Sequence, residues 1–225
     1  MIRWLEGVLT ALFPQRNLCH ACGAPLIAEE GLLCGPCEQL LASGALVGGR
    51  CETVIDPGIA FAASAYRYSD TAAALVKALK FQSDRSAAVP LADGLAALYA
   101  EYAELRAADF CVAVPVHYRR LRKRGYNQSE VLAAAFCERV GLPLETDALI
   151  RVHHKRSQVG QGREARQLNI SGAFAASTRG RGVIRGRRVL LMDDVLTTGS
   201  TAIECAHALT RAGAEQVLLL TACRV

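Results

Sequence analysis

The apolar run that opens this 225-residue chain, MIRWLEGVLTALFP, is too short to cross a bilayer and is interrupted by Glu6. No small-residue cleavage site follows it, so neither a signal peptide nor integral membrane association is expected. Trp4, Leu5, Val8, Leu9 and Leu12 share one helical face, which predicts a short helix packed on the body of the protein. Disordered composition is also missing: 52% of the residues are hydrophobic, enough to bury a core. There is no internal repeat and no G-x-x-x-x-G-K-[ST] phosphate loop. The stretch GQGREA, from Gly160 to Ala165, formally matches a dinucleotide fingerprint, but no strand precedes it. Aromatic residues are few, at 6%. The nine cysteines are an odd number, and five of them are scattered in apolar surroundings. That excludes a secreted disulfide framework and suits a reducing cytoplasm.

Charge is unevenly spread. Between His117 and Arg188 there are 16 Lys/Arg against 5 Asp/Glu, while the rest of the chain is acidic. A basic middle suits a polyanionic partner: a phosphorylated small molecule, a nucleic acid, or both. The same count also fits arginines solvated on unrelated surfaces.

Four cysteines form two close pairs, Cys19-x-x-Cys22 and Cys34-x-x-Cys37, with eleven residues between them. Each pair can present two thiolates from a tight knuckle, with Gly23, Gly35 and Pro36 allowing the turns. Four thiolates are the ligand set of structural Zn2+. The alternatives are an iron–sulfur cluster and a redox dithiol, of which the dithiol would need a βαβ context that is absent here. About forty residues cannot build a core alone, so the metal is expected to supply folding energy for this module.

Downstream, buried-strand and helical patterns alternate. Strands are expected at Ile59–Tyr68, Phe110–Val116, Arg187–Asp194 and Ala214–Val225. Helices are expected at Ser69–Gln82 with Ser69 or Asp70 as cap, at Ala87–Arg106, from Asn127 to Gly141, and at Thr201–Ala212. The segment Arg179–Arg188 reads as a surface turn. The pattern is an α/β domain with a mostly parallel sheet. The division is 1–52 for the N-terminal helix and four-cysteine zinc module and 53–225 for the α/β domain.

The stretch VLLMDDVLTTGSTA carries the chemistry. Val189–Met192 ends at the strand edge where open α/β sheets bind ligands. Asp193 and Asp194 follow; they diverge if the strand continues and converge if a turn begins. Such carboxylates accept hydrogen bonds from sugar hydroxyls or attract Mg2+. Thr197, Thr198, Gly199, Ser200 and Thr201 then supply hydroxyls, a flexible turn and the free N–H groups of a helix start, a seat for phosphate. A helix cap alone needs only one Ser or Thr.

This segment resembles the signature of the type I phosphoribosyltransferases, which bind phosphoribosyl pyrophosphate (PRPP). With the cysteine knuckles, KALKFQSD, VAVPVHYRRLRKRGYNQSEVLA and a segment holding Gln158, Arg166, Asn169 and Phe174, the chain resembles the ComF family from about Phe13 onward. Tyr126 departs from that family's usual Phe; it keeps the ring and is expected to matter little. The resemblance implies a parallel sheet flanked by helices with an N-terminal zinc-ribbon-like module. It implies that Asp193 and Asp194 are catalytic, holding the ribose hydroxyls directly or through Mg2+, and that Thr197–Thr201 hold the 5-phosphate. It places a pyrophosphate loop at Pro115, Val116 and His117, beside the cations Arg119, Arg120, Arg122, Lys123 and Arg124. It makes Arg151–Phe174, with Gln158, Arg166 and Asn169, a flap. Lys77 and Lys80 either extend the basic surface or form a solvated helix face. No residue stands out as a general base; His117, His153 and His154 are the candidates. Two functions remain: a transferase using PRPP on a nitrogen acceptor, and an accessory protein that handles single-stranded DNA with other DNA-uptake proteins. The two can coexist.

Overall fold

The computed structural model describes residues 18–27, 31–51, 56–152 and 172–225. In chain order the elements are α1 (Gly35–Ser43), β1 (Phe61–Arg67), α2 (Asp70–Phe81), α3 (Ala88–Glu101), α4 (Ala103–Arg106), β2 (Phe110–Ala113), α5 (Tyr118–Arg124), α6 (Gln128–Val140), β3 (Leu149–Arg151), β4 (Phe174–Ala176), α7 (Thr178–Ile184), β5 (Arg188–Leu196), α8 (Ser200–Arg211) and β6 (Gln216–Arg224). Four strands form one sheet in the order β1–β6–β5–β2, and every pairing in it is parallel.

Both faces of this sheet are buried, which is why its strands read as continuous apolar runs. The two-residue strand period sorts the side chains into two cores. Leu190 and Met192 of β5 join the core formed with α2, α3 and α6, where Leu75, Leu91 and Phe136 are fully buried. Val189 and Leu191 join the opposite core, formed with α7 and α8 through Ile184, Cys205 and Leu209. Each fully buried Leu or Phe contributes roughly 1.5–3 kcal/mol. Cys19, Cys34, Cys37 and Leu41 of the N-terminal segment pack into the first core, so the cysteine module and the sheet share one apolar interior. Residues beyond α1 run along β1, with bridges Ala45–Tyr66 and Arg50–Ala63 covering the sheet edge.

Several elements depart from the sequence expectations. The long helix expected over 87–106 breaks at Tyr102, whose backbone is extended. Its ring lies 4.9 Å from that of Phe61 and its hydroxyl donates to the Gly48 carbonyl, so distant contacts override local helix propensity. The arginine-rich turn expected at 179–188 instead contains α7. Ser177 Oγ caps it by accepting from Gly180 N at 2.8 Å, and Ile184 anchors it in the core. Ser69 sits at the N-cap of α2, but neither it nor Asp70 makes a side-chain cap bond. A two-stranded antiparallel sheet, β3–β4, was not expected at all. The N-terminal helix and the boundary at 52/53 lie outside the described residues.

Candidate functional site

The site is built where the chain changes sheet face. After β2 the connection leads to α6 on the first core face; after neighbouring β5 it leads to α8 on the other. Helices leaving adjacent strands in opposite directions open a crevice at the strands' C-terminal ends. β5 does not stop at the aspartates but runs on to Leu196, with Asp193 opposite Thr221 and Val195 opposite Cys223 of β6. The strand continues, so the two carboxylates diverge.

Their surroundings differ. Asp193 is half-buried and lines a hollow together with the turn from Thr197 to Thr201. Its Oδ1 accepts from Ser129 Oγ at 2.9 Å and from Asp194 N at 2.8 Å. Burial, and next the Asp194 charge, push its carboxyl up to about 7; the Asp194 N–H, the Ser129 hydroxyl and Lys80 oppose this. Asp194 is only 3% exposed. Lys80 Nζ sits 2.7 Å from its Oδ1, while its Oδ2 is buried with no hydrogen-bond partner among the described residues.

Lining the same hollow, Gly199 takes the left-handed conformation (φ +77°) that lets the strand turn directly into α8. Thr198 Oγ1 lies 2.9 Å from Ser200 Oγ, so the two hydroxyls face one another at the helix start. The first N–H groups of α8 and these hydroxyls are chemically able to receive an anion, with a carboxylate a few residues away.

The segment Pro115–His117 leaves β2 beside β5 and is half-buried. It is fixed at its base by Val114 N donating to Met192 O at 2.9 Å and by Asn127 Nδ2 donating to Val114 O at 3.0 Å. His117 Nδ1 caps α5 by accepting from Arg119 N at 3.2 Å. Arg119, Arg120, Arg122 and Lys123 are exposed on α5, which buries no residue of its own. Arg124 is turned back, donating to Gln128 Oε1 at 2.6 Å and lying over the exposed Phe81 ring at 5.3 Å. Arg119 lies over the Tyr118 ring at 5.8 Å.

The four knuckle cysteines are brought together. Their sulfurs lie within 4.8 Å of one another, and Cys22 Sγ and Cys34 Sγ are 3.7 Å apart. A tetrahedral ion with metal–sulfur bonds of about 2.3 Å has edges of about 3.8 Å, so the donor set fits a four-thiolate metal centre. Burial opposes ionisation of Cys19, but backbone N–H groups of Cys22, Cys34 and Ala21 outweigh it and bring its thiol down to about 6. Burial and the neighbouring sulfurs push Cys37 up to about 12, a crowding that a bound cation relieves. Gly23, at φ +74°, makes the first knuckle turn.

The structure thus gathers Asp193 and Thr197–Thr201 around one hollow, sets Asp194 behind them, and puts the basic residues on a separate exposed helix. Gln158, Arg166, Asn169, His153 and His154 lie outside the described residues; β3 and β4 flank that segment and pair with each other. Lys80 is neither a solvated face nor part of the basic surface: it turns inward to Asp194, while Lys77 is exposed. Its spacing held the signal, since position 80 lies one turn beyond buried Val76 whereas Lys77 is off that stripe. Ser129 was also missed; nothing local distinguishes it from an ordinary first-turn serine. Tyr126 does more than keep a ring, because its hydroxyl donates to the Leu79 carbonyl in the last turn of α2.

The phosphoribosyl transferase domain family matches residues 123–225. "DNA utilization protein YhgH" of Salmonella typhimurium is 30% identical over 92% of this chain and 84% of its own length. "Competence protein F" of Haemophilus influenzae is 32% identical over 51% of this chain and 49% of its own length. Among solved structures, a glutamine PRPP amidotransferase from B. subtilis has a TM-score of 0.45 at 23% identity; the match covers 66% of this chain and 30% of that larger one. Among the described residues no helix is long and apolar enough to cross a membrane.

Proposed function

The chain belongs to the ComF family and carries a type I phosphoribosyltransferase fold with an N-terminal cysteine cluster; from this and the site geometry we propose that it binds PRPP. One observation carries the reading: a carboxylate at the end of β5, Asp193, and the turn that starts α8, Thr197–Thr201, line one hollow. PRPP has that bipolar layout, with a diol needing acceptors and a 5-phosphate needing donors. In this reading Asp193 and Asp194 hold the ribose hydroxyls, Pro115–His117 lies along the pyrophosphate, and Gln158, Arg166 and Asn169 belong to a flap. Mg2+ arriving with PRPP would neutralise the pyrophosphate charge. The cysteine cluster holds a structural Zn2+ in the module 1–52, and the site belongs to 53–225.

If transfer occurs, a nitrogen of the acceptor bonds to ribose C1 as the C1–oxygen bond breaks. Pyrophosphate departs with the bonding electrons, and the proton shed by the nitrogen goes to pyrophosphate or solvent. The aspartates stabilise the positive charge that develops on the sugar. Calorimetry with PRPP and Mg2+ tests the binding reading. The unaltered chain is expected to bind, and the Asp193→Asn/Asp194→Asn variant to stay folded but lose PRPP. Unchanged affinity in that variant removes the assignment.

A second reading rests on α5. Its exposed cations stand beside Tyr118 and Phe81, which are 40% and 74% exposed, a pairing suited to the phosphates and bases of single-stranded DNA. The names of the relatives point to the same DNA-handling role. Affinity for an oligonucleotide should then fall with salt at a log–log slope of roughly −0.7 per phosphate contacted. A flat salt response overturns it.

A further inference from the structure

Among the described residues, Lys80 is the one cation turned into the carboxylate pair, and its surroundings fix it there. The apolar face of α2, through Leu75, Val76 and Leu79, is fully buried. The Tyr126 hydroxyl holds the Leu79 carbonyl, one of the orphan acceptors of the helix end. Just past the helix, Asp84 is held by His20 and caps the next turn by accepting from Ser86 N at 3.1 Å. The backbone under Lys80 is therefore pinned from three sides, and only its side chain is left to adjust.

That side chain meets Asp194 at Oδ1 alone. The other oxygen, Oδ2, is buried and has no partner among the described residues. A carboxylate with one oxygen clamped and the other bare is oriented, and the bare oxygen is costly until a donor reaches it. Asp194 lies directly after Asp193, the carboxylate that lines the hollow.

Resting on the PRPP reading above, we propose that Lys80 is a positioning residue for the sugar: it clamps the buried Asp194, whose N–H donates to Asp193 Oδ1, and so fixes the carboxylate that lines the hollow. Lys80 acts through Asp194 and makes no contact of its own with the phosphates. Partners that orient metal-binding side chains commonly change affinity on the order of 10- to 100-fold when removed, and the same order is expected of a partner that orients a sugar-binding carboxylate.

The test is calorimetry on the full chain with two probes, PRPP with Mg2+ and inorganic pyrophosphate with Mg2+. Lys80→Met and Asp194→Asn should each weaken PRPP on the order of 10- to 100-fold, and the Lys80→Met/Asp194→Asn double variant should be no weaker than Asp194→Asn alone. Lys80→Arg should retain more affinity than Lys80→Met. Pyrophosphate, which has no hydroxyl pair, should bind Lys80→Met as it binds the unaltered chain. The inference is overturned if Lys80→Met binds PRPP normally. It is equally overturned if the double variant loses the product of the two single effects, or if pyrophosphate weakens as far as PRPP. Thermal unfolding accompanies each variant. Should Lys80→Met not fold, with Asp194 left buried and unpaired, the double variant removes both charges and decides the matter against Asp194→Asn. If the unaltered chain takes up no PRPP, the site reading itself fails. If it binds PRPP and only the Lys80 variants are without effect, the site stands and this inference falls.

Discussion

Asp193→Asn should make the protein more stable while removing its ligand. The folded state raises the Asp193 carboxyl from 3.8 to about 7, through burial first and the Asp194 charge second. Below pH 3.8 the group is protonated whether or not the chain is folded, and it contributes nothing. As pH rises from there toward 7, the unfolded chain ionises it while the folded chain holds the proton, so stability falls; above 7 the loss is complete. Each tenfold change in proton affinity is about 1.4 kcal/mol, which sets an upper limit of about 4 kcal/mol. Solvent reaching a half-buried group reduces this, and about 2 kcal/mol is expected. Asparagine mimics the neutral acid, and its Oδ1 can still accept from Ser129 Oγ and Asp194 N. For a chain of this size, about 2 kcal/mol is a rise in Tm of about 4–8 °C. Thermal unfolding of both proteins at about pH 5 and about pH 8, without ligand, measures it. The gain must be larger at the higher pH. A gain that does not grow with pH, or a less stable variant at the higher pH, refutes the electrostatic account of this pair.

Gly199→Val should weaken PRPP binding and cost about 1–2 kcal/mol, because a β-branched residue must adopt φ +77° at the start of α8; affinity and Tm are both read. Gly180→Ala should destabilise the fold, since a Cβ there would stand 2.0 Å from the Ala148 carbonyl oxygen; a Tm equal to that of the unaltered protein would show that α7 can shift freely. Cys34→Ser should release the metal and lower Tm, because three thiolates no longer close the site; elemental analysis should give about one zinc per unaltered chain and none in the variant.

The parts legible in the sequence are those whose determinants are adjacent in it. The turn from β5 into α8, proposed above as a phosphate seat, needs an apolar strand, a glycine able to take positive φ and a few hydroxyls, all within Val189–Thr201. The metal site was legible because two knuckles announce themselves by spacing. What could not be read depends on contacts between distant segments. The break at Tyr102 is set by Phe61 and Gly48. The inward turn of Lys80 is set by Asp194, and the role of Ser129 by Asp193. β3 and β4 span three residues each, too few for a periodic signal, and exist because they pair with one another. Whether the aspartates diverge turned on where β5 ends, and pairing with β6 up to Arg224 decides that.

The divergence also bears on what the hollow accepts. A site meant only for an inorganic anion would not keep a carboxylate beside its N–H donors, because two like charges about 6 Å apart near a protein surface repel by about 3 kcal/mol. A site meant only for a cation would not need a glycine-hinged helix start and paired hydroxyls at its other end. Each half of the hollow weakens a simple ion of the sign that the other half attracts. A ligand that is anionic at one end and a neutral hydroxyl donor at the other meets neither penalty. Burial, and next the Asp194 charge, raise the Asp193 carboxyl to about 7, so the folded chain bears a cost for holding these two acids together. The lysine behind them reduces the cost at Asp194 without occupying the hollow. In the proposed reading that ligand is a phosphorylated sugar, and the positive charge that would grow on its ring during transfer suits the acidic half of the hollow.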